Sequence, residues 1–226
     1  MKLIDTSPEQ RIRKLRGNAY FSELPEPILK EISTHMQLRE YLRGDVIFWE
    51  DDPCDGLHII ESGSAKIYRL SSQGRQYIVR ILQEGDTFGE VPAFDGGKNP
   101  VNVDALEMCR VWVIDSEKLR ALVAAHPAFA QKVLQNFGEM LRNLVRMVSE
   151  MAFYQVTHRL ARLISEYPEE PRPHWTQEQL AAQLGTVREV VARSLKELER
   201  SGAIRIEDRR IHIADDSVLR QWIPPN

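Results

Sequence analysis

Residues 174–204 read HWTQEQLAAQLGTVREVVARSLKELERSGAI, and their punctuation is that of two short helices joined by a tight turn. Thr176 is followed three residues later by Gln179, the signature of a capping box. Leu180, Ala181 and Leu184 then recur on one face, and Gly185 ends the run as a residue free to take positive φ. A second helix is expected from about Val187 to Arg200, with Val190, Val191, Leu195 and Leu198 inward and Arg188, Glu189, Ala192, Arg193 and Lys196 outward. Gly202 stops it, and IRIEDRRIHI (204–213) reads as two alternating strands around a polar turn. Helix, glycine turn, helix and hairpin in that order make a winged helix–turn–helix.

The outward face of the second helix carries chemistry suited to duplex DNA. An arginine early in such a helix can place its fork on guanine O6 and N7, and a glutamate can accept from cytosine N4. Arg188, Glu189 and Arg193 lie within one short arc and are the candidate base readers. Thr176, at the start of the first helix, is a candidate phosphate contact. Lys196, with Arg200, Arg205, Arg209 and Arg210, is a candidate for phosphate neutralisation. From Thr186 to Ile213 seven Lys and Arg stand against five Asp and Glu, so the order of the elements, more than charge, carries this reading.

Upstream lies a heptad pattern. From about Ala128 to Gln155 there is no proline, and Ala130, Leu134, Phe137, Leu141, Leu144, Val148 and Met151 are spaced alternately four and three apart. A helix of roughly 28 residues spans ~42 Å, and so narrow a seam calls for a second helix, which predicts a parallel homodimer. Phe137, Leu141, Leu144, Val148 and Met151 are the candidate interface. The acidic, proline-rich PEEPRP (168–173) is expected to be an elbow after a short helix over 157–167.

Between Tyr41 and Ile114 the period changes from helical to alternating. VIFWE (46–50), LHIIE (57–61), AKIYRL (65–70), YIVRIL (77–82) and CRVWVI (109–114) are separated by turn glycines, which predicts an antiparallel roll or barrel. FSELPEPILKEIS (21–33) predicts a short helix starting near Pro25, SEKLRALVAAHP another capped by Ser116, and residues 1–20, with Arg11, Arg13, Lys14 and Arg16, a solvated terminal helix or tail. The fold class expected is α+β: residues 1–127 an N-terminal helix and antiparallel, jelly-roll-like β-roll, 128–155 a dimerisation helix, and 156–226 the DNA-binding domain.

Composition narrows the chemistry. The 226 residues carry a formal charge of −3, with 42% hydrophobic and 28% charged residues, an ordinary globular balance. Cys54 and Cys109 alone cannot ligate a four-cysteine zinc site or iron–sulfur cluster. No secretion-type core or ~18-residue apolar run is seen, so a cytoplasmic protein with no membrane partner is expected. His58 stands without a second histidine two residues away, which argues against a cupin-type metal site, and no Ser–His–Asp spacing or phosphate loop is visible. The expectation is therefore not an enzyme. The competing reading is a β-roll sensor or cupin-like protein that acts on a small molecule or partner protein without binding DNA.

Taken together, FSELPEPILKEIS, GDVIFWEDDPCDGLHIIESGSAKIY, GDTFGEVPAFDGG, MAFYQVTHRLARLI and LGTVREVVARSLKELERSGAI resemble the CRP/FNR superfamily of bacterial transcription factors, named for the cyclic-AMP receptor protein and the fumarate–nitrate regulator. The resemblance implies a cyclic-nucleotide-binding-like β-roll, a long dimer helix and a winged helix–turn–helix. It also implies a palindromic site with TGTGA-like or TTGA-like halves read by Arg188-Glu189-x-x-x-Arg193, and RNA polymerase as a protein partner. The family's effector pocket maps onto Phe88, Gly89, Glu90, Lys98 and Asn99 of the roll and onto Leu144 and Val145 of the long helix. Here the sequence departs from the nucleotide-binding members: Pro100 and Val101 stand about where an Arg and a Ser would hold the exocyclic phosphate, and Leu144 and Val145 replace a Thr-Ser pair. A buried phosphate needs a guanidinium or its equivalent, so cyclic AMP is not expected to be the effector. An unidentified small molecule or gas remains, and haem is a conceivable cofactor, with His35, His58, Cys54, Cys109, His126, Met140 and Met147 as possible axial ligands.

Overall fold

The computed structural model describes residues 1–74, 76–166, 175–207 and 210–223, with the side chains of 150–153 outside the description. The expected elbow at 168–173, the side chain of Met151 and Arg209 therefore lie outside the described residues. The chain divides into two compact units, residues 1–70 with 79–140, and residues 71–78 with 141–226.

In chain order the first part holds β1 (Lys2–Ile4), α1 (Pro8–Arg16), α2 (Glu26–Thr34), β2 (Met36–Tyr41), β3 (Val46–Phe48), β4 (Gly56–Ser62) and β5 (Ala65–Leu70). Then come β6 (Gln76–Leu82), β7 (Thr87–Phe88), α3 (Glu90–Asp95), β8 (Asn102–Ala105), β9 (Cys109–Asp115), α4 (Ser116–Ala125) and α5 (Pro127–Phe153). Two sheets result, ordered β1-β2-β9-β4-β7 and β3-β8-β5-β6.

The central strands of the larger sheet are buried on both faces, which is why LHIIE and CRVWVI read as near-continuous apolar runs. In β4, Leu57 and Ile59 join the helix-side core with Trp112 and Ile114 of β9. The alternate residues, Ile60, Val111 and Val113, pack between the sheets with Phe48, Leu82 and Phe88. A register slip of one residue would exchange these two cores, so the pairing Ile59↔Trp112 is strongly specified.

Residues 1–20 do not form a solvated tail. β1 adds to the edge of the larger sheet, pairing Lys2↔Glu40 and Ile4↔Leu38, and α1 is closed by a Ser7–Gln10 capping box. The cap of α4 also shifts by one residue from expectation: Asp115, not Ser116, accepts from the Lys118 N–H at 2.9 Å. A carboxylate placed there also favours the positive end of the helix dipole.

The second unit contains α6 (Val156–Glu166), α7 (Gln177–Leu184), α8 (Arg188–Arg200), a hairpin of β10 (Ile204–Glu207) and β11 (Arg210–Ile213), and α9 (Asp216–Gln221). Its core is built from Leu160 and Ile164 of α6, Leu180 and Leu184 of α7, Val191, Leu195 and Leu198 of α8, and Leu219 of α9. Burying each of the three α8 side chains contributes ~1.5–3 kcal/mol. α8 ends in a Schellman motif, in which Ala203 N–H donates to the Leu198 carbonyl and Gly202 N–H to that of Glu199.

Candidate nucleic-acid interface and sensor pocket

The turn between α7 and α8 is set locally. Thr176 Oγ1 accepts from Gln179 N–H at 3.1 Å, and Gln179 Oε1 takes the Thr176 N–H at 2.8 Å, the predicted capping box. Gly185 closes α7 in the left-handed conformation at φ +62. Arg159 of α6 donates to the Leu184 carbonyl at 2.7 Å, satisfying an acceptor that the helix end leaves open. From α6, the Thr157 hydroxyl donates to Glu197 at 2.8 Å and is hydrogen-bonded to the buried Ser194 hydroxyl at 3.0 Å. This polar clamp, which periodicity alone does not reveal, fixes the rotation of α8.

With that rotation fixed, Arg188, Glu189, Arg193 and Lys196 are all exposed, while Val191, Ser194, Leu195 and Leu198 are buried. Two cations and an acid therefore stand over the first two turns of one face, with Lys196 continuing it. Sequence reasoning missed Glu178 of α7: its carboxylate lies 3.2 Å from Arg188 Nε, and both side chains are largely exposed. The signal was available, since the first turn of α7 is acidic and the turn brings it beside the start of α8. In the hairpin, Arg205 is paired with Glu207 at 2.8 Å, and Arg210 is exposed.

The residues assigned to a sensor pocket separate into two kinds. Phe88 is fully buried and stacks on His58 at 4.9 Å between ring centroids, so its ring is part of the inter-sheet core. Asn99 is likewise buried, and its backbone exchanges hydrogen bonds with Asp51 and Asp52, which makes it a loop anchor. Lys98, by contrast, is exposed. Gly89, at φ +76, starts α3 against His58, whose Nδ1 would lie 3.1 Å from an added Cβ. Glu90 follows with its carboxyl pushed up to about 7, because burial penalises the charged form by more than its own backbone N–H and Arg80 relieve it, with Asp86 adding a smaller push upward. Asn102 accepts from Glu50 N–H at 3.0 Å and is committed to bridging strands.

His58 lies between Phe48 and Phe88, with Nε2 3.4 Å from Asp55 Oδ1. Both ring faces are thus occupied by protein, and the in-plane Nε2 faces the Asp55 carboxylate. Among the described residues no group of three His, Cys, Asp or Glu is placed to hold a metal ion, and no helix is long and apolar enough to cross a membrane.

On α5 the assigned interface residues also divide. Phe137 is half-buried and meets Phe94 of its own unit edge-to-face at 5.9 Å, so it belongs to the intrachain core. Leu134, Leu141, Leu144, Val145 and Val148 are between 52% and 71% exposed and form an apolar stripe along the helix.

Comparison with known proteins agrees with this architecture. The cyclic nucleotide-binding domain family matches residues 38–126, and the Crp-like helix-turn-helix domain family matches residues 157–222. Over 209 residues, 88% of this chain and 93% of its relative, the sequence is 26% identical to the CRP-like cAMP-activated global transcriptional regulator of Mycobacterium tuberculosis. A putative transcriptional regulator of the CRP/FNR family from Eubacterium rectale shares the fold with a TM-score of 0.76 at 22% identity, covering 90% of this chain and 98% of that one. FixK2 from Bradyrhizobium japonicum does so with a TM-score of 0.71 at 19% identity, covering 84% and 98%. With its roll and its winged helix–turn–helix matched in order on either side of the long helix, the chain belongs to the CRP/FNR superfamily and is a DNA-binding transcription regulator of that type.

Proposed function

We propose that the protein works as an effector-gated homodimer that reads a palindromic duplex, each copy inserting α8 into the major groove of one half-site. The observation that carries this reading is the exposed arc of Arg188, Glu189, Arg193 and Lys196 on a helix whose opposite face is fully covered. Arg188 and Arg193 read guanines, Glu189 accepts from a cytosine, and Lys196 and Thr176 contact phosphate. The exposed stripe of α5 supports self-association through Leu141, Leu144 and Val148. RNA polymerase is the protein partner proposed for the bound dimer, and the cytoplasm is its place of action.

The relative from Mycobacterium tuberculosis is named as cAMP-activated. For this chain we propose a different effector. Residues 97–102 supply no guanidinium for a phosphate, Asn102 is spent on strand bridging, and Glu90 sits where burial favours its neutral form. The effector acts only through its differential affinity for the two arrangements it selects between. Gel shifts with a palindromic probe test the DNA reading: Arg188→Ala and Arg193→Ala each lower affinity by ~1–3 kcal/mol and relax preference at one base pair. Equal weakening on all sequences overturns the base-reading roles. Calorimetric titration with cyclic AMP is expected to give no micromolar binding, and saturable micromolar binding overturns the effector assignment.

A further inference from the structure

α1 meets the larger sheet in an unusual way. A helix that simply packs on a sheet does so through an apolar stripe. α1 instead directs Gln10, Arg13 and Lys14 toward it across a cavity of about 470 Å³, a size in the ~300–1,000 Å³ range of small-molecule sites. The floor is a cross-strand row, Leu38 paired with Trp112 and Trp112 with Ile59. Above the row, Glu61 Oε2 receives both the Trp112 indole N–H at 2.8 Å and Lys14 Nζ at 2.8 Å. Lys14 also donates to the Ile60 carbonyl at 2.9 Å, so the carboxylate is held in one orientation. Its other oxygen, Oε1, has no partner among the described residues.

The charges lining the cavity decide what fits. Arg110 is committed to Glu40 at 2.9 Å. Arg13, Asp5 and Glu84 line the cavity, are exposed, and form no ion pair among the described residues. With Glu61 Oε2 already paired to Lys14, a simple anion would still face the unpaired carboxylates of Asp5 and Glu84, and a simple amine would leave Arg13 unanswered. A molecule with one ammonium, one carboxylate and an apolar body satisfies both. We propose that this cavity, which lies wholly within the first unit, binds a small zwitterion: a free amino acid with an apolar side chain. Its ammonium meets Glu61 Oε1, its carboxylate meets Arg13, and its side chain lies against Leu38 and the edge of Trp112, with Ile59 fully buried beneath. The preset Glu61 spares the ordering cost that a mobile carboxylate would incur on binding.

The test uses the full chain labelled with 5-fluorotryptophan, the Trp112 fluorine line being assigned with W112F. Titration with L-leucine or L-phenylalanine up to ~10 mM should shift that line saturably, with N-acetyl and amide derivatives weaker by roughly tenfold or more. R13A, a change at an exposed position, should keep the melting temperature and lose roughly tenfold in affinity. An unmoved Trp112 line overturns the proposal. So does equal binding of the N-acetyl or amide derivative, which would mark a purely apolar site, or undiminished binding by R13A.

Discussion

α8 and the second half of α5 are both amphipathic, and they leave opposite faces uncovered. α8 buries Val191, Leu195 and Leu198 within its own unit and leaves arginines, a glutamate and a lysine in water. α5 from Leu141 onward leaves Leu141, Leu144, Val145 and Val148 in water. Exposed cations call for a polyanion and cost little while they wait, because water solvates them. An exposed aliphatic stripe calls for another apolar surface and is a liability until it is covered. The two helices thus name partners of different chemistry.

The contrast is broken most severely by placing charge on the stripe. L141E combined with V148E should leave a folded monomer by light scattering and lower affinity for a palindromic probe by roughly a hundredfold or more, since two half-sites then bind separately. A dimer that persists with both glutamates places its interface elsewhere. Next in size is L195A on the covered face of α8, expected to cost ~2–5 kcal/mol in denaturant unfolding through the cavity left behind. L144A on the stripe should leave the unfolding of the isolated protomer nearly unchanged.

Glu90 sharpens the same contrast from the inside, because there a carboxyl is kept from water. Its folded-state value near 7 lies above the ordinary 4.5, so the native state holds the proton more tightly. The stabilisation is complete below pH 4.5 and is lost as pH rises through 7. E90Q should therefore melt roughly 2–5 °C higher than the parent at pH 8 and level with it in acid. A constant difference across pH would assign the effect to packing alone. The smallest change is expected at Glu178. Its exposed pairing with Arg188 is worth ~0–1 kcal/mol, so E178Q should raise DNA affinity by up to roughly fivefold. A loss of affinity would mean that Glu178 positions Arg188 for its base.

The helix–turn–helix was legible almost residue by residue because each of its signals is local. The Thr176–Gln179 box, the glycine stop at 185 and the period of α8 depend on neighbours within a few positions, and the exposure of Arg188, Glu189, Arg193 and Lys196 follows that period, while Val190 and Ala192 are both half-buried. The heptad seam was legible only in part. Spacing assigns Phe137 to it, but α3 brings Phe94 against that ring, and spacing carries no information on such a contact. The burial of Phe88 and Asn99 was illegible for the same reason: a motif gives the order of residues, while burial depends on which strands pack above them.

The amino-acid sequence by itself determined the periods, caps and turns, and with them a roll, a long helix and a winged helix–turn–helix, because those features are decided by local backbone geometry and the alternation of apolar residues. Only the tertiary structure decided which face of each helix stays uncovered, that residues 2–4 extend the sheet, and that Arg13, Lys14 and Glu61 enclose a cavity. Those outcomes depend on contacts between positions far apart in the chain, whose energies no window of neighbouring residues contains.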